Sequence, residues 1–313
     1  MSTILTSTTA QDAFVPLGAP QAGVMPSVAR DLGNPAFWRS FAPGLHVEDP
    51  AMVRDLQAIA PAESEMAAIR DLMREEGYFH ASGIPWGLDV DLMANTVRAL
   101  DRAGLPAVFA FLYDEFWLPF YRLHPIYQGL LGGYAMLPDF WVWNVDPARG
   151  DAGWRPHRDK SHTSLFPDGS PKSITTWIPL SRATTLNGCM YIVPANQDPT
   201  YNTAQDGEWK FDHAAIRALP AEAGDVFMWN QAVLHWGSRT SPRGGASRVS
   251  MAFEFQRADV PPMNQPLLQP LAFHGFGARL QLVAKQILQY RHMYKVDAAI
   301  ERLALQVTGT HAG

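Results

Sequence analysis

At 313 residues, 47% of them hydrophobic and 18% charged, the chain is long enough for one large core with helical additions. Lys plus Arg is 25 and Asp plus Glu is 30, a formal net charge of -5. No run of like charge is long enough for an interaction tail, which argues against nucleic acid or an anionic membrane surface as a partner.

Residues 1–45, rich in Ser, Thr, Ala, Gly and Pro without periodicity, are expected to form an extended surface arm. Residues 46–133 read as a helical N-terminal region. Asp49-Pro50 is an N-cap followed by proline at the first helical position. Met52, Val53, Leu56 and Ile59 then follow at helical spacing until Pro61. A second helix carries Met66, Ile69, Leu72 and Met73 and closes at Gly77. Two more are expected within 89–103 and 106–118, with Pro119 breaking the latter.

From 134 to 257 the texture changes to short apolar or alternating runs punctuated by Gly, Pro, Asn and Asp. These are Phe140–Val145, Ile174–Leu180, Cys189–Val193, Val226–Trp229 and Val249–Phe255. Close spacing without intervening helices predicts an antiparallel sandwich or barrel. Cys189, the only cysteine, excludes an intrachain disulfide and reads as a buried strand position suited to a reducing compartment. Residues 258–313 turn helical again, with Leu280, Val283, Ile287 and Leu288 on one apolar face packed outside the barrel. The whole, 1–313, reads as a single domain, mainly β with flanking helices.

No stretch approaches the ~20 consecutive apolar residues of a membrane span, and the N-terminus lacks a basic segment followed by an apolar core. The expectation is a cytoplasmic protein acting on a small molecule. The composition says nothing of its oligomeric state.

The chemistry centres on Trp154-Arg155-Pro156-His157-Arg158-Asp159. In an extended strand, residues two apart share a face, so His157 and Asp159 can converge on one ion, and Val233-Leu234-His235-Trp236-Gly237 offers a third ligand. Two imidazoles and one carboxylate on one face of an octahedral ion leave three positions open, which suits ferrous iron, oxygen and a bidentate co-substrate. His162 forms a rival trio with His157 and Asp159, but three ligands within six residues need a loop rather than a strand. Arg155 shares the face of His157 by alternation and is placed to meet an anionic substrate group, whereas Arg158 and Lys160 are expected to face away.

The ordered set Trp177-Ile178-Pro179-Leu180, Asn187-Gly188-Cys189-Met190-Tyr191-Ile192-Val193-Pro194 and Ala223-Gly224-Asp225-Val226-Phe227 resembles the phytanoyl-CoA dioxygenase family. With Glu75-Glu76-Gly77-Tyr78-Phe79, the resemblance covers roughly residues 65–257. It implies a double-stranded β-helix (a jelly roll) that uses Fe(II), 2-oxoglutarate and O2. The family places His-x-Asp before these strands, the distal His shortly after the Gly-Asp turn and an Arg opening the last core strand. Here those positions hold His157 and Asp159, His235, and Arg248 with Ser250. One departure is Pro194-Ala195-Asn196-Gln197, where the family continues with Gly-Ser-His.

A dicarboxylate co-substrate needs a permanently charged planar fork, which arginine supplies better than lysine. The resemblance implies that Arg248 and Ser250 hold the distal carboxylate, with Arg239 the main rival and Asn144 a candidate for the keto-acid end. Hydroxylation of an unactivated C–H bond, with release of succinate and CO2, is the expected reaction. Asp159 disfavours halogenation, since related halogenases carry Gly or Ala there. The alternatives are a metal-dependent jelly-roll enzyme that uses no 2-oxoglutarate, against which Arg248 argues, and a non-catalytic binding module, against which the triad argues.

Overall fold

The computed structural model describes residues 31–293 and 296–309. Up to residue 30, the expected arm lies outside them. From residue 31 the arm reading is corrected. Asn34 caps α1 (Pro35–Phe41), its side chain accepting from Ala36 N at 2.9 Å. Trp38 is fully buried on Phe109, with ring centroids 5.2 Å apart. A buried indole anchors this segment where a Ser/Gly/Pro-rich composition predicts none.

The helix after Asp49 is short, α2 (Ala51–Arg54), and does not reach Ile59. The following backbone bonds to a neighbour instead: Ile59 N donates to Arg122 O and Arg122 Nε donates to Gln57 O. α3 (Glu63–Glu75) and α4 (Val90–Arg102) form as expected. Residues 106–118 do not make one α-helix. They fold as two 3₁₀ turns, Ala107–Leu112 and Asp114–Phe116, because an apolar run buried on every side carries no helical period. Pro119 does not break a helix either. It sits in the first turn of α5 (Leu118–Arg122), where a missing N–H costs nothing. α6 (His124–Leu131) follows.

Eight strands are described. Five coincide with the predicted runs: β2 (Tyr134–Val145), β3 (Ser173–Pro179), β4 (Met190–Val193), β6 (Val226–Asn230) and β8 (Arg248–Arg257). β5 (Arg217–Leu219) and β7 (Leu234–Gly237) are short additions. β1 (Tyr78–Ala81) lies inside the stretch expected to be helical. Gly77 opens it at φ +81°, where an added Cβ would fall 2.2 Å from Val233 Cγ2, so only glycine fits this turn.

The strands form two sheets, β1-β6-β3-β8-β2 and β5-β4-β7, every pairing antiparallel. Strand alternation then gives the larger sheet two different faces. Its outer face, with Phe140, Val142, Ile174, Met228, Val249, Met251, Phe253 and Phe255, shares one core with the flanking helices. Its inner face meets the smaller sheet in a second cluster, where Trp177, Phe227, Trp229 and Ala252 pack with Met190, Ile192 and Leu219. This is the jelly roll expected from the sequence.

Outside it, α7 (Phe276–Gln289) lies against the 107–112 turn with Leu280, Val283 and Ile287 buried, and α8 (Ala298–Thr308) packs on α7. Arg279 of α7 is fully buried and ion-paired with Asp114. Among the described residues, no helix is long and apolar enough to cross a membrane.

Candidate metal centre

The segment that carries His157 and Asp159 is an irregular edge to the smaller sheet rather than a strand. It is tied to β7 by reciprocal bonds, His157 N to His235 O at 3.0 Å and His235 N to His157 O at 2.9 Å. Gly153 N donates to Ser238 O, Gly237 N to Trp154 O and Lys160 N to Gln231 O. Two glycines permit this approach, since a Cβ on Gly153 would stand 2.4 Å from Gly237 Cα. His157 and His235 are thereby paired directly across the edge, with ring centroids 4.4 Å apart.

The three expected ligands converge. One donor atom from each of His157, Asp159 and His235 lies within 4.8 Å of the others. Asp159 Oδ1 is 3.4 Å from His157 Nε2 and 3.5 Å from His235 Nε2. Donors adjacent around an ion at ~2.0–2.2 Å stand roughly 3 Å apart, so these pairs are set close to ligand spacing. Each Nδ1 faces a carbonyl, His157 that of Arg155 at 2.6 Å and His235 that of Val233 at 3.1 Å. A ring whose Nδ1–H is spent this way offers the Nε2 lone pair to a metal. Burial of His235, 3% exposed, pushes its pKa down to about 4, which keeps that lone pair free at neutral pH.

Asp159 is held by its other oxygen. Oδ2 accepts from Thr175 Oγ1 at 2.6 Å and from Trp229 Nε1 at 2.8 Å. Burial works to raise this carboxyl, but His235, His157 and Thr175 together outweigh it and hold it below the usual carboxylate range. The group is an anion with Oδ1 facing the two imidazoles. Two imidazole nitrogens and one carboxylate oxygen form a donor set that fits a first-row divalent ion such as iron.

His162 takes no part; its Nδ1 lies 3.0 Å from Asp206 Oδ2. Arg155 is exposed and contributes its carbonyl, not its guanidinium, to His157. Arg158 faces away as expected and pins the segment from behind, donating to Asp198 Oδ2 at 2.6 Å and to Asp206 O at 3.0 Å. Lys160 does not face away. Its Nζ reaches Glu254 Oε2 on the inner face of β8 at 3.3 Å, because the irregular backbone does not keep strand alternation.

Arg248 and Ser250 share the inner face of β8. Arg248 is 2% exposed; its Nη1 donates to Ser250 Oγ at 2.6 Å and its Nε to Gly188 O at 3.0 Å. Burial lowers its pKa to about 10, with the Cys189 thiol acting the other way, and among the described residues it makes no ion pair with a carboxylate. A buried guanidinium without a carboxylate is costly unless an anion joins it. Arg239, the rival, is exposed on the outer side of the smaller sheet. It lines a depression of about 370 Å³ with Trp154, Arg155, Tyr191 and Trp236.

Asn144 is corrected. It shares the outward parity of Phe140 and Val142, and its Nδ2 donates to Asp101 Oδ2 of α4 at 2.7 Å. It therefore braces the helical layer. Its neighbours of opposite parity, Trp141 and Trp143, stack 5.6 Å apart beside Trp154, which lies 5.9 Å from His157. Tyr290, at the end of α7, packs 4.5 Å from Trp141. These aromatics run in contact from Trp154, beside His157, along β2 to the end of α7.

The sequence reading missed Thr175, Trp229, Gln231 and Glu254, which surround Asp159. Glu254 had a visible signal, a lone acid in the apolar run Met251-Ala252-Phe253-Glu254-Phe255. A charge inside such a run is expected to have a buried partner. The others gave none, since tryptophan and threonine in a strand are ordinary.

Residues 120–248 match the family model for phytanoyl-CoA dioxygenase, so the likeness seen in the sequence holds over that stretch, less than half of the chain. Among solved structures, the chain is similar to the non-heme alpha ketoglutarate dependent epimerase SnoN from nogalamycin biosynthesis. Identity is 18% and the TM-score 0.50, covering 68% of this chain and 97% of that one. The same epimerase in complex with Fe3+, alpha ketoglutarate and nogalamycin RO matches at 18% identity and TM-score 0.50 over 67% and 95%. EctD from S. alaskensis with 2-oxoglutarate and 5-hydroxyectoine matches at 16% identity and TM-score 0.46 over 74% and 91%. At such identities the likeness is one of fold. No curated protein matches the sequence.

Proposed function

We propose that the chain is an Fe(II)- and 2-oxoglutarate-dependent oxygenase that hydroxylates an unactivated C–H bond of a small organic substrate. His157, Asp159 and His235 hold the metal, and Arg248 with Ser250 receives the distal carboxylate of the co-substrate. The observation that carries this reading is the convergence of two Nε2 atoms and one Oδ1 inside a jelly roll whose inner face also buries an arginine that, among the described residues, has no carboxylate partner. The family match over 120–248 supports it.

In the net reaction, 2-oxoglutarate, O2 and a substrate C–H give succinate, CO2 and a substrate C–OH. The bound iron supplies the activation of oxygen. The chain's own residues do the rest. The triad would hold the metal, the Arg248–Ser250 pair would orient the dicarboxylate, and Trp154 beside His157 with Trp229 beside His235 would keep water from the reacting centre.

The test is an anaerobic Fe(II) titration with and without 2-oxoglutarate. A weak visible charge-transfer band requiring both components is expected, together with succinate release across a panel of candidate substrates. His157→Ala, Asp159→Ala and His235→Ala should each abolish turnover and weaken iron binding while keeping the fold. Near wild-type turnover in any of them removes that residue from the triad, and absence of the band with both components present overturns the reading.

A further inference from the structure

Asp159 is the one ligand that offers the metal two chemically equal oxygens, so something must decide how many it presents. The hydrogens around Oδ2 can be counted. The Trp229 indole has a single N–H, and it points at Oδ2. The Thr175 hydroxyl has a single hydrogen as well, and at 2.6 Å from the Asp159 carboxylate that hydrogen is spent there. Thr175 Oγ1 must therefore act as an acceptor toward its other neighbour, Gln231 Nε2 at 3.1 Å. The second hydrogen of the same amide goes to Glu254 Oε2 at 2.7 Å, an oxygen that also accepts from Lys160 Nζ.

We propose that Gln231 and Glu254 are positioning residues that aim the Thr175 hydroxyl at Asp159, so that the carboxylate presents only Oδ1 to the metal. The inference rests on the metal-centre reading above.

The argument turns on what happens if the Gln231 amide rotates. Its Oε1 would then stand against the Glu254 carboxylate oxygen, a repulsive pairing, and would offer Thr175 a second acceptor. The hydroxyl hydrogen could leave Asp159, and Oδ2 would keep only the Trp229 bond. Ionised Glu254, held beside Lys160 Nζ at 3.3 Å, opposes that rotation. Thr175, Gln231 and Glu254 are all buried, so bulk water does not compete for these bonds. Gln231 Oε1 has no partner, which means that the amide is oriented by its two donors alone. A carboxylate released at Oδ2 can turn or bind through both oxygens, occupying a position that oxygen or the co-substrate needs.

The experiment uses the full-length chain and Ni(II), a redox-inactive probe, titrated calorimetrically without co-substrate. Gln231→Leu, which removes the amide between Thr175 and its cross-strand partner Glu254 and so frees the hydroxyl to turn to that carboxylate, and Thr175→Val should each weaken Ni(II) binding by about 10- to 100-fold, the usual cost of losing a residue that orients a ligand. If Gln231 acts through Thr175, the double variant should bind no worse than Thr175→Val alone. Thr175→Ser, which keeps the hydroxyl, should bind like the parent. Parent-like affinity in Gln231→Leu, or losses that simply multiply in the double variant, would overturn the proposal. Thermal melting checks each fold. Should Gln231→Leu not fold, the shape-conserving Glu254→Gln takes its place, with a smaller loss expected and parent-like affinity counting against the proposal. His157→Ala separates the two levels. If it too binds Ni(II) like the parent, the metal centre itself is misassigned; if it loses Ni(II) while Gln231→Leu does not, only the positioning role fails.

Discussion

The two faces of the five-stranded sheet are both buried, yet they are different environments. On β8 the outward residues Val249, Met251, Phe253 and Phe255 meet a wall of aromatics. Phe253 lies 5.3 Å from Phe120 and 5.5 Å from Trp117, and Phe255 lies 3.9 Å from Tyr127. The inward residues Arg248, Ser250 and Glu254 meet hydroxyls, an amide, a carbonyl and an ammonium. Burying one large apolar side chain contributes roughly 1.5–3 kcal/mol, whereas burying a lone guanidinium costs stability. One strand thus divides its labour by parity: the outer face supplies the stability that lets the inner face hold costly polar groups.

That division can be broken or sharpened by substitution. The largest effect is expected on the outer face, where Phe253→Ala should remove about 3–5 kcal/mol of stability, read from the urea midpoint. The folded fraction should keep its 2-oxoglutarate affinity; a loss there would mean that the faces are not independent. Arg248→Ala reverses the pattern. Truncating one side of a buried charge pair costs about 2–5 kcal/mol, roughly a 30- to several-thousand-fold loss of 2-oxoglutarate affinity at 1.4 kcal/mol per decade. Iron binding should survive, since Arg248 is no ligand, and Arg248→Lys should recover only part of the affinity because an ammonium lacks the planar fork. Ser250→Ala deletes one hydrogen bond beside an intact guanidinium, about 1 kcal/mol, seen as a roughly fivefold weaker co-substrate affinity. Smallest of all is Arg239→Ala, exposed outside the smaller sheet and expected to stay within about 0.5 kcal/mol. A large loss of 2-oxoglutarate affinity in Arg239→Ala with a silent Arg248→Ala would overturn the assignment of the inner face.

Much of this was legible in the sequence, for local reasons. Short apolar or alternating runs bounded by Gly, Pro, Asn and Asp announced five strands, because run length and turn residues are local properties. His157, Asp159 and His235, and Arg248 with Ser250, stood out because they hold in order the positions that the resemblance to phytanoyl-CoA dioxygenases implies, and residues two apart on a strand share a face. Asn144 was misread for an equally local reason. Phe140-Trp141-Val142-Trp143 is apolar at both parities, so it does not mark which side faces the barrel, and the bulge between Met136 and Phe140 shifts the register upstream. The 106–118 run, apolar without period, could not distinguish an α-helix from the 3₁₀ turns observed.

What only the tertiary structure decided is who stands next to whom across strands. Thr175, Trp229, Gln231 and Glu254 reach the surroundings of Asp159 from three different stretches of chain. Lys160 turns inward because its segment is an irregular edge bonded to β7 and the preceding turn. Sequence pattern encodes parity and propensity, which are set within a few residues. Neighbours across a sheet are set by register and by how two layers pack, and those depend on the whole chain at once.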